Sequence, residues 1–225
     1  MAIRIVSATR ETQSTFPART LLGRGLEGLQ YTGIVAEIAY ENRRGLPEVY
    51  NAALAKADPE DILVFVHDDV WFNDFFLKQR LIEGLSRFDI IGVVGNKRRL
   101  PKQPMWAFRD ASFNWDEPDQ LSGGVANTDA NGKVDISLFG EVPAEVKLLD
   151  GVLLAAQTST LRNADVGFDT RFTFHFYDVD FCRACEKAGL RLGTWPIALI
   201  HGSVGNPNTP AWQEGYARYL EKWGE

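Results

Sequence analysis

The run Ile62-Leu63-Val64-Phe65-Val66 constrains the fold more than any other stretch of this sequence. Its apolar residues follow one another without a polar break, between Asp58-Pro59-Glu60-Asp61 and His67-Asp68-Asp69. A strand with one wet face alternates apolar and polar positions. An unbroken run this short therefore belongs to a strand covered on both faces, at the centre of a parallel sheet. The flanking sequence supplies the rest of such a sheet. Ile3-Arg4-Ile5-Val6-Ser7-Ala8 reads as a first strand opening into polar Thr9-Arg10-Glu11, and residues 33–40 read as a second. Leu46-Pro47-Glu48 opens a helix with Pro in its first turn, continued by Val49, Ala52 and Ala53 at helical spacing. Residues 73–85 predict a helix capped by Asn or Asp, and residues 89–95 a fourth strand. This alternation predicts an α/β fold with an open, mostly parallel central sheet and helices on both faces.

Charge narrows the partners. The chain has 24 Lys+Arg against 30 Asp+Glu, a formal charge of -6, which argues against nucleic acid, whose binders rest on excess positive charge. The N-terminus runs straight into a strand with no signal-like segment, and no apolar run is long enough for a transmembrane segment. A cytoplasmic location is expected. Cys182 and Cys185 sit in an apparently helical, apolar-flanked segment and read as buried thiols rather than a redox or zinc pair. Residues 96–143 show no clean period. Clustered Lys97-Arg98-Arg99, Trp106, Trp115 and glycine turns predict a long excursion with a small hairpin, of the kind that forms functional loops. The Lys97-Arg98-Arg99 run reads as a solvated patch. Residues 146–155 resume strand character, and residues 178–188 read as a helix.

Three segments could carry chemistry. His67-Asp68-Asp69 follows the buried strand, where open α/β sheets bind ligands and adjacent carboxylates suit a cation bridging to phosphates. The plain reading is a strand end or helix cap. Asp178 and Asp180 open a helix beside Phe174, Phe176 and Tyr177, and helix capping accounts for one of them. His201 ends an apolar strand before Gly202 and Gly205, a common place for a hydrogen-bonded histidine. All three histidines of the chain, His67, His175 and His201, lie in or beside these segments, which favours one shared site.

In their order and spacing, Phe65-Val66-His67-Asp68-Asp69-Val70, Leu149-Asp150-Gly151-Val152, Gly167-Phe168-Asp169 with Phe172, Tyr177-Asp178-Val179-Asp180-Phe181-Cys182 and Ile200-His201-Gly202 resemble the family 2 glycosyltransferases of GT-A fold. The nearest likeness is to a short bacterial glycosyltransferase-like branch. The resemblance implies one GT-A domain over residues 1–225, with a nucleotide-binding half over about 1–95 and an acceptor-side half over about 96–225. It implies transfer of a hexosyl-type sugar from a nucleoside diphosphate sugar, a UDP-sugar first, to the hydroxyl of a glycan or other acceptor, with inversion and with Mn²⁺ or Mg²⁺. By position, Asp69 and His201 would bind the metal and Asp68 would lie beside the ribose or phosphates. Asp150 and Gly151 would line the sugar and acceptor pocket, with Asp178 as the general base. Ser7, Thr9, Glu41 and Asn42 would hold the nucleotide base. Two positions depart from the family pattern: His67 replaces the first Asp of Asp-x-Asp, and Tyr177 replaces the Glu before Asp178.

From the residues, Asp180 is expected to pair with Arg183, three positions along the helix. Trp106 or Trp115 would offer the acceptor a flat face. Two other readings compete with sugar transfer. One is a catalytically silent nucleotide-binding domain of the same fold, favoured by the two departures. The other is a nucleotidyltransferase, for which Ser7-Ala8-Thr9-Arg10-Glu11 is a poor phosphate loop.

Overall fold

A computed structural model describes residues 1–29, 33–129, 131–203 and 207–224. The chain opens with β1 (Ile3–Ala8), the short helix α1 (Phe16–Arg19), α2 (Leu21–Leu29), β2 (Ile34–Ala39), α3 (Leu46–Lys56) and β3 (Ile62–Val66). Every residue of β3 is buried, and β1 lies parallel to both β2 and β3. The unbroken apolar run is a central strand, as its composition requires. Tyr50 on α3 packs on Phe65 with ring centroids 4.9 Å apart, and Phe168 packs on Phe65 at the same distance, so one strand residue ties two layers together.

Beyond β3 come β4 (Val70–Phe72), α4 (Leu77–Leu85), β5 (Ile90–Gly92), β6 (Val94–Asn96), β7 (Leu121–Thr128), β8 (Val134–Gly140), β9 (Ala144–Val146), β10 (Leu148–Leu149), β11 (Leu153–Gln157), α5 (Thr158–Asn163), α6 (Tyr177–Lys187), β12 (Leu192–Thr194), β13 (Leu199–His201) and α7 (Pro210–Trp223). The main sheet has the order β2-β1-β3-β11-β5-β12-β9, and β11 and β9 run against the rest. The expected open, mostly parallel sheet is present.

A second sheet was not expected. Its order is β10-β6-β7-β13-β4, with β8 paired to β7. The later part of the excursion over residues 96–143 is the expected hairpin, β7 with β8, built into this sheet, while residues 97–117 are turns and loop. The predicted strand over residues 89–95 is two strands in different sheets, divided at Val93. Gly123 makes this seam possible: at φ +91 it lies so close to the Val93 carbonyl that any Cβ would collide. The predicted helix over residues 73–85 begins at Leu77, because Asn73 and Asp74 are still tied to Ala198, the Asn73 N–H donating to the Ala198 carbonyl and the Ala198 N–H to the Asp74 carboxylate.

The chain steps repeatedly from one sheet to the other, most abruptly at 67–69 between β3 and β4, at Val93, and at 150–152 between β10 and β11. Two of these steps carry residues singled out from sequence. The expected Asp180–Arg183 pair does not form. Asp180 instead receives Lys222 at 2.6 Å and the Trp223 indole N–H at 2.9 Å, both from α7, while the Arg183 guanidinium lies 4.2 Å from the Trp223 ring centre. Nor is Lys97-Arg98-Arg99 a free patch: Arg98 bonds buried Asp116, Arg99 faces Glu186, and Lys97 donates to the Asp119 carbonyl. Both cysteines are free and buried. Among the described residues, no helix is long and apolar enough to cross a membrane.

Candidate active site

The register of the second sheet assembles the first part of the site. β13 runs antiparallel to β4 with His201 opposite Val70, and the Gly202 N–H donates to the Asp69 carbonyl at 2.8 Å. His201 is thereby held beside Asp69, although 132 positions separate them in sequence. His67, Asp69 and His201 each offer a ligand atom, and these atoms lie within 4.8 Å of one another. The His201 Nε2 sits 3.4 Å from Asp69 Oδ1, close enough for an ion pair but too long to satisfy that buried oxygen, which has no hydrogen-bond partner. Burial, the largest influence on Asp69, raises its pKa, but the facing His201 and His67, with Ser203, outweigh it and bring the carboxyl down to about 2. Two imidazoles and one carboxylate, with an oxygen of that carboxylate orphaned, make a donor set that fits a divalent metal. Gly205 and Val204 lie outside the described residues.

His67, which departs from the family pattern, lies in this cluster, and the second departure, Tyr177, holds it. The Tyr177 hydroxyl donates to the Gly151 carbonyl at 2.8 Å, so the oxygen 2.9 Å from His67 Nε2 is left to accept that ring's proton. His67 Nδ1 then keeps its lone pair. Gly151 must be glycine, because a Cβ there would overlap the Tyr177 hydroxyl. Only the gathering of all three histidines near the candidate segments hinted at this from sequence, and His175 lines the same cleft without joining the cluster.

The second part of the site comes from the turn at 150–152 and the start of α6. Asp178, at the first turn of α6, accepts the Gly151 N–H at 3.1 Å. Burial first, and the nearby Asp150 second, raise its pKa to about 7. Asp150 is fixed by the Val152 N–H at 2.7 Å and by the Trp106 indole N–H, which reaches in from the excursion.

These groups share one cleft of about 450 Å³, whose lining includes His67, Asp68, Asp69, Asp150, Gly151, Asp178 and His201. Trp106, Phe108, Trp115, Phe139, Phe176 and Trp212 form much of its remaining wall. A second groove, lined by Thr9, Arg10, Asn42, Arg43, Arg44 and Thr173, meets the first at Asp68 and Phe174. Its three arginines were not singled out from sequence. Ser7 and Glu41 line neither hollow. The buried Ser7 hydroxyl lacks a partner, and the Asn42 side chain folds back on the Arg44 backbone.

Residues 31–212 match the family model described as a glycosyltransferase like family. No curated protein matches the chain. Among solved structures, GalNAc-T7 with UDP, GalNAc and Mn²⁺ superposes with a TM-score of 0.59 at 11% identity, covering 98% of this chain and 48% of that one. The mannosyltransferase PcManGT from Pyrobaculum calidifontis, in complex with GDP-Man and Mn²⁺, superposes with a TM-score of 0.51 at 14% identity, covering 97% and 61%. This chain thus spans between about half and three fifths of the length of these two structures. At such identity the likeness is one of fold, and that fold is GT-A. With the family match running over most of its length, the chain belongs to the glycosyltransferase-like family.

Proposed function

We propose that this single domain transfers a sugar from a nucleoside diphosphate sugar, a UDP-sugar first, to an acceptor hydroxyl with inversion at the anomeric carbon. The observation that carries the reading is the His67–Asp69–His201 cluster, with its unsatisfied Asp69 oxygen, in the same cleft as a buried carboxyl poised near neutrality.

His67 through Nδ1, Asp69 and His201 would hold the cation. Two imidazole donors suit a transition ion such as Mn²⁺ better than Mg²⁺, which prefers oxygen. Bound there, the ion would supply charge to stabilise the diphosphate leaving group. Asp68, at the junction of the two hollows, faces the nucleotide side, and Arg10, Arg43 and Arg44 give the second groove the positive charge that a nucleoside diphosphate requires. Thr9 and Asn42 border that groove, whereas Ser7 and Glu41 line neither hollow and are left out of the nucleotide site. Asp150 and Gly151 line the sugar pocket. Asp178 takes the proton from the acceptor hydroxyl as the oxygen attacks. Against the silent-domain reading stands the hydrogen bond between the two departures, His67 and Tyr177, which keeps His67 within the cluster.

Metal-dependent hydrolysis of a panel of nucleotide sugars tests the reading without knowledge of the acceptor. The expected result is release of a nucleoside diphosphate with Mn²⁺, with Asp69→Asn losing metal-dependent nucleotide affinity while remaining folded. Equal metal-dependent affinity in that variant, or a transfer product that retains the donor's anomeric configuration, sinks the corresponding part of the proposal.

A further inference from the structure

We infer that the cleft selects an uncharged acceptor with a flat apolar face and rejects one whose ring bears a phosphate or carboxylate. The inference rests on the transfer reading above and concerns the acceptor end of the same site.

Charge is divided sharply between the two hollows. The donor-side groove has Arg10, Arg43 and Arg44, whereas the cleft is lined by Asp68, Asp69, Asp150 and Asp178 and, among the described residues, by no lysine or arginine. None of the residues outside the described set is lysine or arginine either. The arginines of the adjoining excursion are paired elsewhere, Arg98 with Asp116, Arg99 with Glu186, and Arg109 with Asp110 and Glu117, and its lysines, Lys97, Lys102 and Lys133, do not line the cleft. The positive charge of a bound metal goes to the diphosphate in the proposed reaction. An anionic ring in the cleft would therefore lose water and gain no cation, while facing Asp150 and Asp178.

The same wall offers something to a neutral ring. Trp115 is 55% exposed, yet it is fixed from behind, stacked on Phe139 at 5.9 Å with an interplanar angle of 20° and set edge-on to Phe108 at 5.0 Å. A rigid indole with one open face is a stacking platform for the apolar side of a pyranose or an aryl group.

Calorimetry on the whole chain, with UDP and MnCl₂ present, tests this using phenyl β-glucoside, β-galactoside and β-mannoside against phenyl β-glucuronide and phenyl β-glucoside 6-phosphate. The expected result is that at least one neutral glycoside binds about tenfold or more tightly than the charged ones. Raising NaCl to about 0.5 M should narrow that ratio by screening the carboxylates, and Trp115→Ala should weaken the neutral ligand. Equal or tighter binding of the charged glycosides overturns the inference. So does binding of none of the neutral set, a ratio insensitive to salt, or an unaltered affinity in a folded Trp115→Ala protein. Selective binding with no transfer from any nucleotide sugar would uphold the charge selection and refute the transferase reading instead.

Discussion

Asp178 and Tyr177 are adjacent in sequence but act on opposite partners. A base is active only when deprotonated, and burial with Asp150 holds Asp178 near 7. kcat/KM for transfer is therefore expected to rise with pH through about 7 and then level, and Asp178→Asn to lose about 10²–10⁴-fold in rate with nucleotide affinity nearly intact. Stability moves the other way. The unfolded carboxyl titrates near ~3.9, so between there and about 7 the folded state keeps a proton that the unfolded chain has released, and the group's contribution falls as pH rises through that window. Asp178→Asn should accordingly raise the melting temperature more at pH 8 than at pH 4; thermal scans at both pH values decide this, and an equal shift would show the carboxyl is not buried in its charged form. Tyr177→Phe removes the acceptor for His67 Nε2–H and frees the ring to adopt the other tautomer. Mn²⁺ affinity, measured by calorimetry, should fall about 10- to 100-fold, as for other groups that orient a metal-bound histidine. An unchanged affinity would mean that His67 is not a ligand. Sequence alone singled out Asp69, His201 and Asp178, which all line the shared cleft, but gave His67 no ligand role, because the family pattern made it a missing aspartate and its partner is 110 positions away.

Elements with strong periodicity or an unbroken apolar run were legible: β1, β2, β3, α3 and α6 lie where the sequence predicts them. The second sheet was not, because β4, β6, β10 and β13 are three residues or fewer, shorter than any window in which a period can be read. Gly123 and Gly124 also weaken the strand signal of β7. Such strands exist because neighbouring strands distant in sequence pair with them. The same dependence holds for α7, whose place is set by its contacts with α6. It clamps the start of α6: Lys222 bridges Asp180 at 2.6 Å and Asp169 at 2.8 Å, and the Asp180 side chain is 1% exposed. Lys222→Met should leave that carboxylate buried with only the Trp223 indole, costing about 3 kcal/mol of stability in denaturant titration. Because Asp180 and Asp178 share the first turn of α6, transfer activity should fall along with it. A variant as stable as the original would show that the Trp223 bond alone suffices.

At the scale of the whole molecule, the halves proposed as nucleotide-binding and acceptor-side are not separable pieces. β11 comes from the second half yet lies between β3 and β5 of the first, and β12 pairs with β5. Cutting near residue 95 would leave each half with exposed apolar strand edges, so the chain is expected to unfold in one cooperative step. The site draws on both sheets as well, with His67 and Asp69 at one crossing, Asp150 and Gly151 at another and His201 from β13. A ligand bound there stabilises the assembly as a unit, by an amount set by mass action. At free ligand about 100 times its dissociation constant the gain is about 2.7 kcal/mol, which for a chain of this size corresponds to a rise of roughly 5–10 °C in melting temperature. UDP with Mn²⁺ should produce such a shift, and EDTA should abolish most of it, because the diphosphate then faces Asp68 and Asp69 with no cation between them. UDP with Mg²⁺ should give a smaller shift than with Mn²⁺, as two imidazole ligands favour the softer ion. A shift with UDP that survives EDTA would place the nucleotide away from the His67–Asp69–His201 cluster, and an Mg²⁺ effect equal to that of Mn²⁺ would remove the histidines from the ligand set.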